Sequence, residues 1–211
     1  MKKILTLLFA FSILISKAQT PDEQKAAWID SDQNAFSIQL ANKADNVEAA
    51  LKQRLQKEGL KVSSKKGFIT CLGANWAKIG TSTMDIYFKV KKVDGGNSVL
   101  YMFVSKGYNN FINSQVNPDE SGHSKDFLAD MINETKRYEL NLAIVDLNKQ
   151  IKNANGDLDD LVSKQRKMED QIKELNRKLD ENHTNQNDKS KQIDDLKSQL
   201  NELQSRLDAL H

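Results

Sequence analysis

Asp119, Glu120 and His123 fall within five positions of one another and are side chains that could handle a proton or a metal. Two carboxylates and an imidazole that close offer oxygen and nitrogen ligands to a divalent cation. A structural metal site needs further ligands at defined spacing, and no second cluster supplies them. The segment therefore reads as a solvated loop, with no metal site. His183 lies in a polar stretch and His211 is the last residue, so the histidines occupy unrelated contexts and no nucleophile, base and orienting group can be assembled from them. Gly80-Thr81-Ser82-Thr83 lacks the second glycine of a nucleophile elbow. There is no phosphate-cradling glycine loop, no paired cysteines and no zinc-protease helix. The expectation is a protein that is not an enzyme and holds no cofactor.

Two further features have chemical content. Cys71, the only cysteine, sits in Phe68-Ile69-Thr70-Cys71-Leu72 and reads as a buried strand residue; it cannot form an internal disulfide. Lys106-Gly107-Tyr108-Asn109-Asn110-Phe111 places aromatics beside amides and a glycine after an apolar run. With Trp76 from an earlier loop, Tyr108 and Phe111 form the candidate binding surface, suited to a ligand or a glycan-like polymer. The competing reading tucks Tyr108 and Phe111 onto the edge of a sheet.

The elements that would position these residues fall into two compositional regimes. Every aromatic lies at or before Tyr138 and both prolines precede residue 120. Residues 19–34 read as a linker and residues 35–138 as an α+β globular domain. Phe36, Ile38 and Leu40 alternate as in a half-buried strand. A helix follows, with Asp45 as N-cap, Val47, Leu51 and Leu55 on one face, and Gly59 and Leu60 closing its end. Leu60 to Ser64 and Phe68 to Leu72 read as short strands. Thr83 to Lys91 alternates with Met84, Ile86, Phe88 and Val90 inward, and Asp94-Gly95-Gly96-Asn97 reads as a hairpin turn. Val99 to Val104 is apolar throughout and reads as a central strand covered on both faces. Ser121 or Ser124 begins a second helix with Phe127, Leu128, Met131 and Tyr138 inward.

The order is β-α-β-β-β-β-α, which predicts an antiparallel sheet with helices on one face. In element order it resembles TATA-binding-protein-like domains. Such a likeness implies a curved sheet and carries no function by itself.

From Leu140 to Leu210 apolar residues recur at alternating steps of four and three. Of 21 core positions 17 are apolar, while the other 50 positions hold five apolar residues. So narrow a stripe is the seam of a left-handed coiled coil rather than the face of a surface helix. The a positions include Ile144, Ile151, Leu158, Ile172, Leu179, Ile193, Leu200 and Leu207. Leu147, Leu161, Leu175, Leu196 and Leu203 stand at d. Branched residues at a with leucine at d favour a parallel pair, and Gln165 at an a position sets register. Lys164 at g can meet Glu169 at e of a partner helix. The coil covers 139–211, and the 71 residues from Leu140 to Leu210 span about 105 Å at ~1.5 Å each. Its soft spots are 153–157, with Gly156, and 182–191, which has no apolar residue. The seven-residue phase runs through both, which favours one continuous helix over an intramolecular hairpin.

Residues 1–18 read as a cleaved secretory signal: Lys2 and Lys3, an apolar stretch from Ile4 to Ile15, then Ser16-Lys17-Ala18. The stretch is too short to span a bilayer. Loss of its three lysines takes the formal charge from +2 to −1, which gives no basic surface for nucleic acid. The chain is thus expected to be exported to the periplasm or exterior of a Gram-negative-type bacterium, with no transmembrane segment. It is expected to be a homodimer through its coil, with a head that meets other envelope proteins. Long coiled-coil arms are also a feature of the Skp/OmpH family of periplasmic holdases, to which the tail is similar in that respect. That likeness implies a chaperone-like clamp as the alternative, and a small-molecule-binding head is the third reading.

Overall fold

The computed structural model describes residues 19–108 and 110–209. Residues 1–18, on which the expected secretory signal falls, Asn109 of the aromatic loop, and the terminal Leu210 and His211 lie outside the described residues. The elements are β1 (Asp22–Ala27), β2 (Asp32–Leu40), α1 (Ala44–Lys57), β3 (Ser63–Lys65), β4 (Phe68–Ala74), β5 (Met84–Val93), β6 (Asn97–Ser105) and α2 (Pro118–Asp208). One antiparallel sheet runs in the order β1-β2-β6-β5-β4-β3. The chain divides into two units at Val145/Asp146.

The α+β architecture and the long C-terminal helix agree with the sequence reading, with one strand added. Residues 22–27 pair with β2, Glu23 opposite Phe36 and Ala27 opposite Asp32, so 19–34 is not a linker. β1 has no buried residue and only weak alternation, and its stability comes from hydrogen bonds to β2. Hydrophobic periodicity cannot report an edge strand held in that way.

One face of the sheet carries the main core. Phe36, Ile38, Ile86, Phe88, Leu100 and Met102 meet Val47, Leu51 and Leu55 of α1 and Phe127, Leu128 and Met131 of α2. The opposite face holds a smaller cluster of Ala35, Phe68, Phe103 and Phe111, with Trp28, Tyr87 and Tyr101 packed on it. The apolar run Val99 to Val104 of β6 is therefore covered on both faces at Phe103 and Val104, each 1% exposed.

Local boundaries differ where backbone chemistry overrides pattern. Lys43, in an extended conformation, is the N-cap of α1 and makes no side-chain cap bond. Asp45 stands inside the first turn, where its charge complements the helix dipole. At the other end Gly59 takes φ +79°; its N–H reaches the Gln56 carbonyl and the Leu60 N–H that of Leu55, both at 3.0 Å. This is the left-handed cap expected of Gly59 and Leu60. It commits Leu60 to the helix end and delays β3 to Ser63. α2 starts at Pro118, not at Ser121 or Ser124. Proline fits the first helical position because its missing N–H would be unpaired there anyway. Ser121 and Ser124 are buried inside the helix, with the Ser124 hydroxyl bonded to the Glu120 carbonyl at 2.7 Å.

α2 is helical through both soft spots, 153–157 and 182–191, and no reversal interrupts it. Among the described residues no helix is long and apolar enough to cross a membrane.

Candidate functional site

The three aromatics of the expected head surface are not brought together. Trp76 is 4% exposed and stacks edge-on against Phe127 in the main core, ring centroids 5.0 Å apart. Phe111 is 8% exposed and belongs to the cluster on the opposite face, 5.0 Å from Trp28. Tyr108 alone is fully exposed, at φ +48° in the turn after Gly107. Trp76 and Phe111 are therefore packing residues and not a binding surface. Both lie outside the named strands and helices, and each ring gains apolar and aromatic contacts by packing on the sheet face beside it. The aromatic that organises the surface side of the head is Trp28, which lies within the segment read as a linker. Its flanking pattern gives no sign of this role; only the pairing of β1 with β2 carries Trp28 to the sheet face.

Asp119, Glu120 and His123 lie on the first turns of α2, not in a loop. The Glu120 carboxylate takes the Lys106 ammonium at 2.5 Å, and that hydrogen bond holds its carboxyl below the ordinary 4.5. His123 Nδ1 lies 3.2 Å from the Ile79 carbonyl oxygen. The two residues thus tie α2 to the loops after β6 and β4. No group of three His, Cys, Asp or Glu able to hold a metal is found among the described residues. His183 is exposed on α2. Cys71 is 1% exposed, and burial pushes its thiol up to about 11, far from the depressed range of reactive thiols.

Ion pairs concentrate where α1 meets α2. Arg54, 17% exposed at its side chain, bonds Glu58 at 2.8 Å and Glu134 at 2.5 Å, and Lys78 approaches Glu58 and Asp130 at 3.5 and 3.6 Å. Every charge in this group has a partner of opposite sign, so it fastens helices and leaves no free group for a substrate.

The largest unsatisfied feature is the seam of α2. Ile144, Leu147, Ile151, Leu158, Leu161, Ile172, Leu175, Leu179, Ile193, Leu196, Leu200, Leu203 and Leu207 are all helical and all between 51% and 64% exposed. Met168 is 55% exposed on the same stripe. Polar surroundings are satisfied within the helix: Gln165 bonds Glu169 at 2.8 Å, Arg177 bonds Glu174, and Gln186 bonds Asn182 at 2.6 Å. The stripe thus has one chemistry to offer, apolar burial along a helix.

Comparison with protein-family models, with curated proteins and with solved structures gives no match.

Proposed function

We propose that this is a non-enzymatic interaction protein, exported to the cell envelope, that pairs with a second copy of itself through α2 and presents its α+β heads to an envelope partner. The observation that carries the reading is the row of half-exposed leucines and isoleucines from Leu140 to Leu207. Full burial of an exposed side chain of this kind is worth roughly 1.5–3 kcal/mol, and half-exposed ones have about half of that still to gain, so a row of them left in water is a strong drive to associate. Scattered exposed apolar residues are ordinary; a contiguous stripe marks an interface.

Several features favour a second copy over an unrelated helix. Residues 140–211 carry 12 Lys and Arg against 14 Asp and Glu, so two copies do not repel strongly. In a parallel pair in register, Gln165 faces Gln165 and Gln186 faces Gln186, and each amide finds a donor and an acceptor in its twin. A partner with apolar residues there would forgo that exchange and leave the amides only their bonds within the helix, Gln165 to Glu169 and Gln186 to Asn182. Lys164 and Glu169 meet across the same interface with opposite signs.

Light scattering of the full chain at micromolar concentration tests the reading. The expected particle is about twice the single-chain mass of 23.9 kDa. Ile172→Lys together with Leu175→Lys puts two charges at adjacent core positions and is expected to return the chain to monomer, with the near-ultraviolet aromatic signal of the head unchanged. A wild-type chain that stays monomeric overturns the proposal.

A further inference from the structure

The helix-free face of the sheet carries a groove of about 180 Å³. Its floor is Trp28, Phe68 and Tyr87. Trp28 is held from several sides, with ring centroids 4.9 Å from Phe68, 4.5 Å from Tyr87, 5.3 Å from Phe103 and 5.0 Å from Phe111. Its backbone N–H donates to the Ser31 carbonyl at 2.9 Å, which fixes the turn that delivers it. A floor so constrained loses little freedom when it is covered.

The rim has two chemistries. Ile29 and Leu72, on one side, are 48% and 51% exposed. Among the described residues before α2 the large exposed apolar side chains are Ile29, Leu72, Val93, Tyr108 and Val116, so two of the five flank this groove. The other side is cationic. Lys65 lies opposite Phe68 in the sheet, and Lys66 follows it in the tight turn at φ +51°. Just outside, the Lys89 ammonium sits 5.1 Å from the Phe68 ring centroid. Among the described residues none of these three lysines has a carboxylate within 4.0 Å, whereas Lys52, Lys78, Lys92, Lys106, Lys125 and Lys178 do. Among the described residues no Asp or Glu lines the groove. The neighbouring Asp85 is engaged by the Gly73 N–H at 2.7 Å. Burial, followed by the charge of Asp85 and the hydrogen bond to it, raises the Tyr87 phenol above its usual range, so the hydroxyl keeps its proton and directs it at Asp85 while the ring faces the groove.

We propose that this groove binds a small amphiphilic anion, with an aromatic ring or short acyl chain seated on Trp28, Phe68 and Tyr87 and a carboxylate or comparable acid against Lys65 and Lys66. Apolar surface with converging polar groups is the general form of a small-molecule site. The volume falls below the roughly 300–1,000 Å³ of sites for drug-sized ligands, which limits the occupant to one or two rings or an equivalent chain. The cationic rim selects the acid over its neutral counterpart. This goes beyond self-association and stands whether or not α2 pairs.

Isothermal titration of the full chain with naphthoate and with naphthalenemethanol, its uncharged counterpart, tests the assignment. One naphthoate per chain is expected, bound at least about tenfold more tightly than the alcohol. Lys65→Glu with Lys66→Glu removes that preference and leaves alcohol binding within about twofold, while Leu72→Asp weakens both ligands. Ile172→Lys with Leu175→Lys leaves naphthoate binding at the wild-type value, so failure of the groove and failure of the dimer are read separately. Three results each overturn the proposal: no saturable heat with naphthoate, naphthoate binding unaltered by the rim variants, or equal loss of acid and alcohol in the lysine variant.

Discussion

Cys71 shows how position decides reactivity for a single residue. Its thiol sits in β4 on the core face of the sheet, and burial alone carries its ionisation up to about 11. At neutral pH almost no thiolate exists, and no reagent can reach the sulfur. A native chain treated with a thiol-specific reagent is expected to stay unlabelled, and labelling should track unfolding in denaturant. Glu120 presents the opposite case, a carboxylate stabilised by a partner. The Lys106 hydrogen bond lowers its folded-state value below the ordinary 4.5, so its contribution is fully present above that value. The contribution is lost as pH falls through the lowered folded value. Glu120→Gln is therefore expected to cost about 1 kcal/mol at neutral pH, and the gap to wild type should close as the pH falls through the lowered folded-state value. Denaturant titrations of both chains at several pH values would show it.

At the scale of elements, caps and buried polar links hold the layers together. Gly59 ends α1 in a left-handed conformation that a Cβ resists, although nothing lies within 4 Å of where that Cβ would stand. Gly59→Ala is expected to cost about 1 kcal/mol through backbone strain alone, read as a lowered denaturation midpoint with an unchanged slope. Thr135 of α2 is fully buried, and its hydroxyl donates to Asn42 Oδ1 at 3.0 Å. Asn42 and Asn46 in turn donate to Glu139 at 2.7 and 2.9 Å. Thr135→Val keeps the shape and leaves Asn42 Oδ1 without its donor, an expected loss of about 1–3 kcal/mol in the same titration.

For the whole molecule, the two units have opposite sources of stability. The head buries its apolar residues within one chain, with Phe36, Phe88, Phe103 and Phe127 each at most 1% exposed. Among the described residues of the unit from Asp146 onward, no residue of the apolar seam is buried. Under the proposed pairing, helicity of that unit depends on protein concentration and that of the head does not. Thermal melts followed by circular dichroism are expected to shift upward with concentration for the tail transition alone. Gln165→Leu replaces a polar core residue and is expected to raise that transition while loosening the choice of register.

What could be read from the chain was whatever repeats or alternates along it. Seven-residue phase specified the long helix because a helix is a local object: its hydrogen bonds and its stripe are set by neighbours in sequence. Alternation specified β2 and β5, and the Gly59 and Asp94-Gly95-Gly96-Asn97 signals specified a cap and a turn, for the same local reason. Tertiary structure alone decided the rest. It added β1, whose residues carry no apolar signal and are held by β2. It drew Trp76 into the core and Phe111 onto the far face, and it set Trp28 at the centre of a groove with lysines from another hairpin. Those placements depend on which surfaces lie open after the sheet has formed. Such surfaces are made by residues distant in sequence, and no local pattern encodes them.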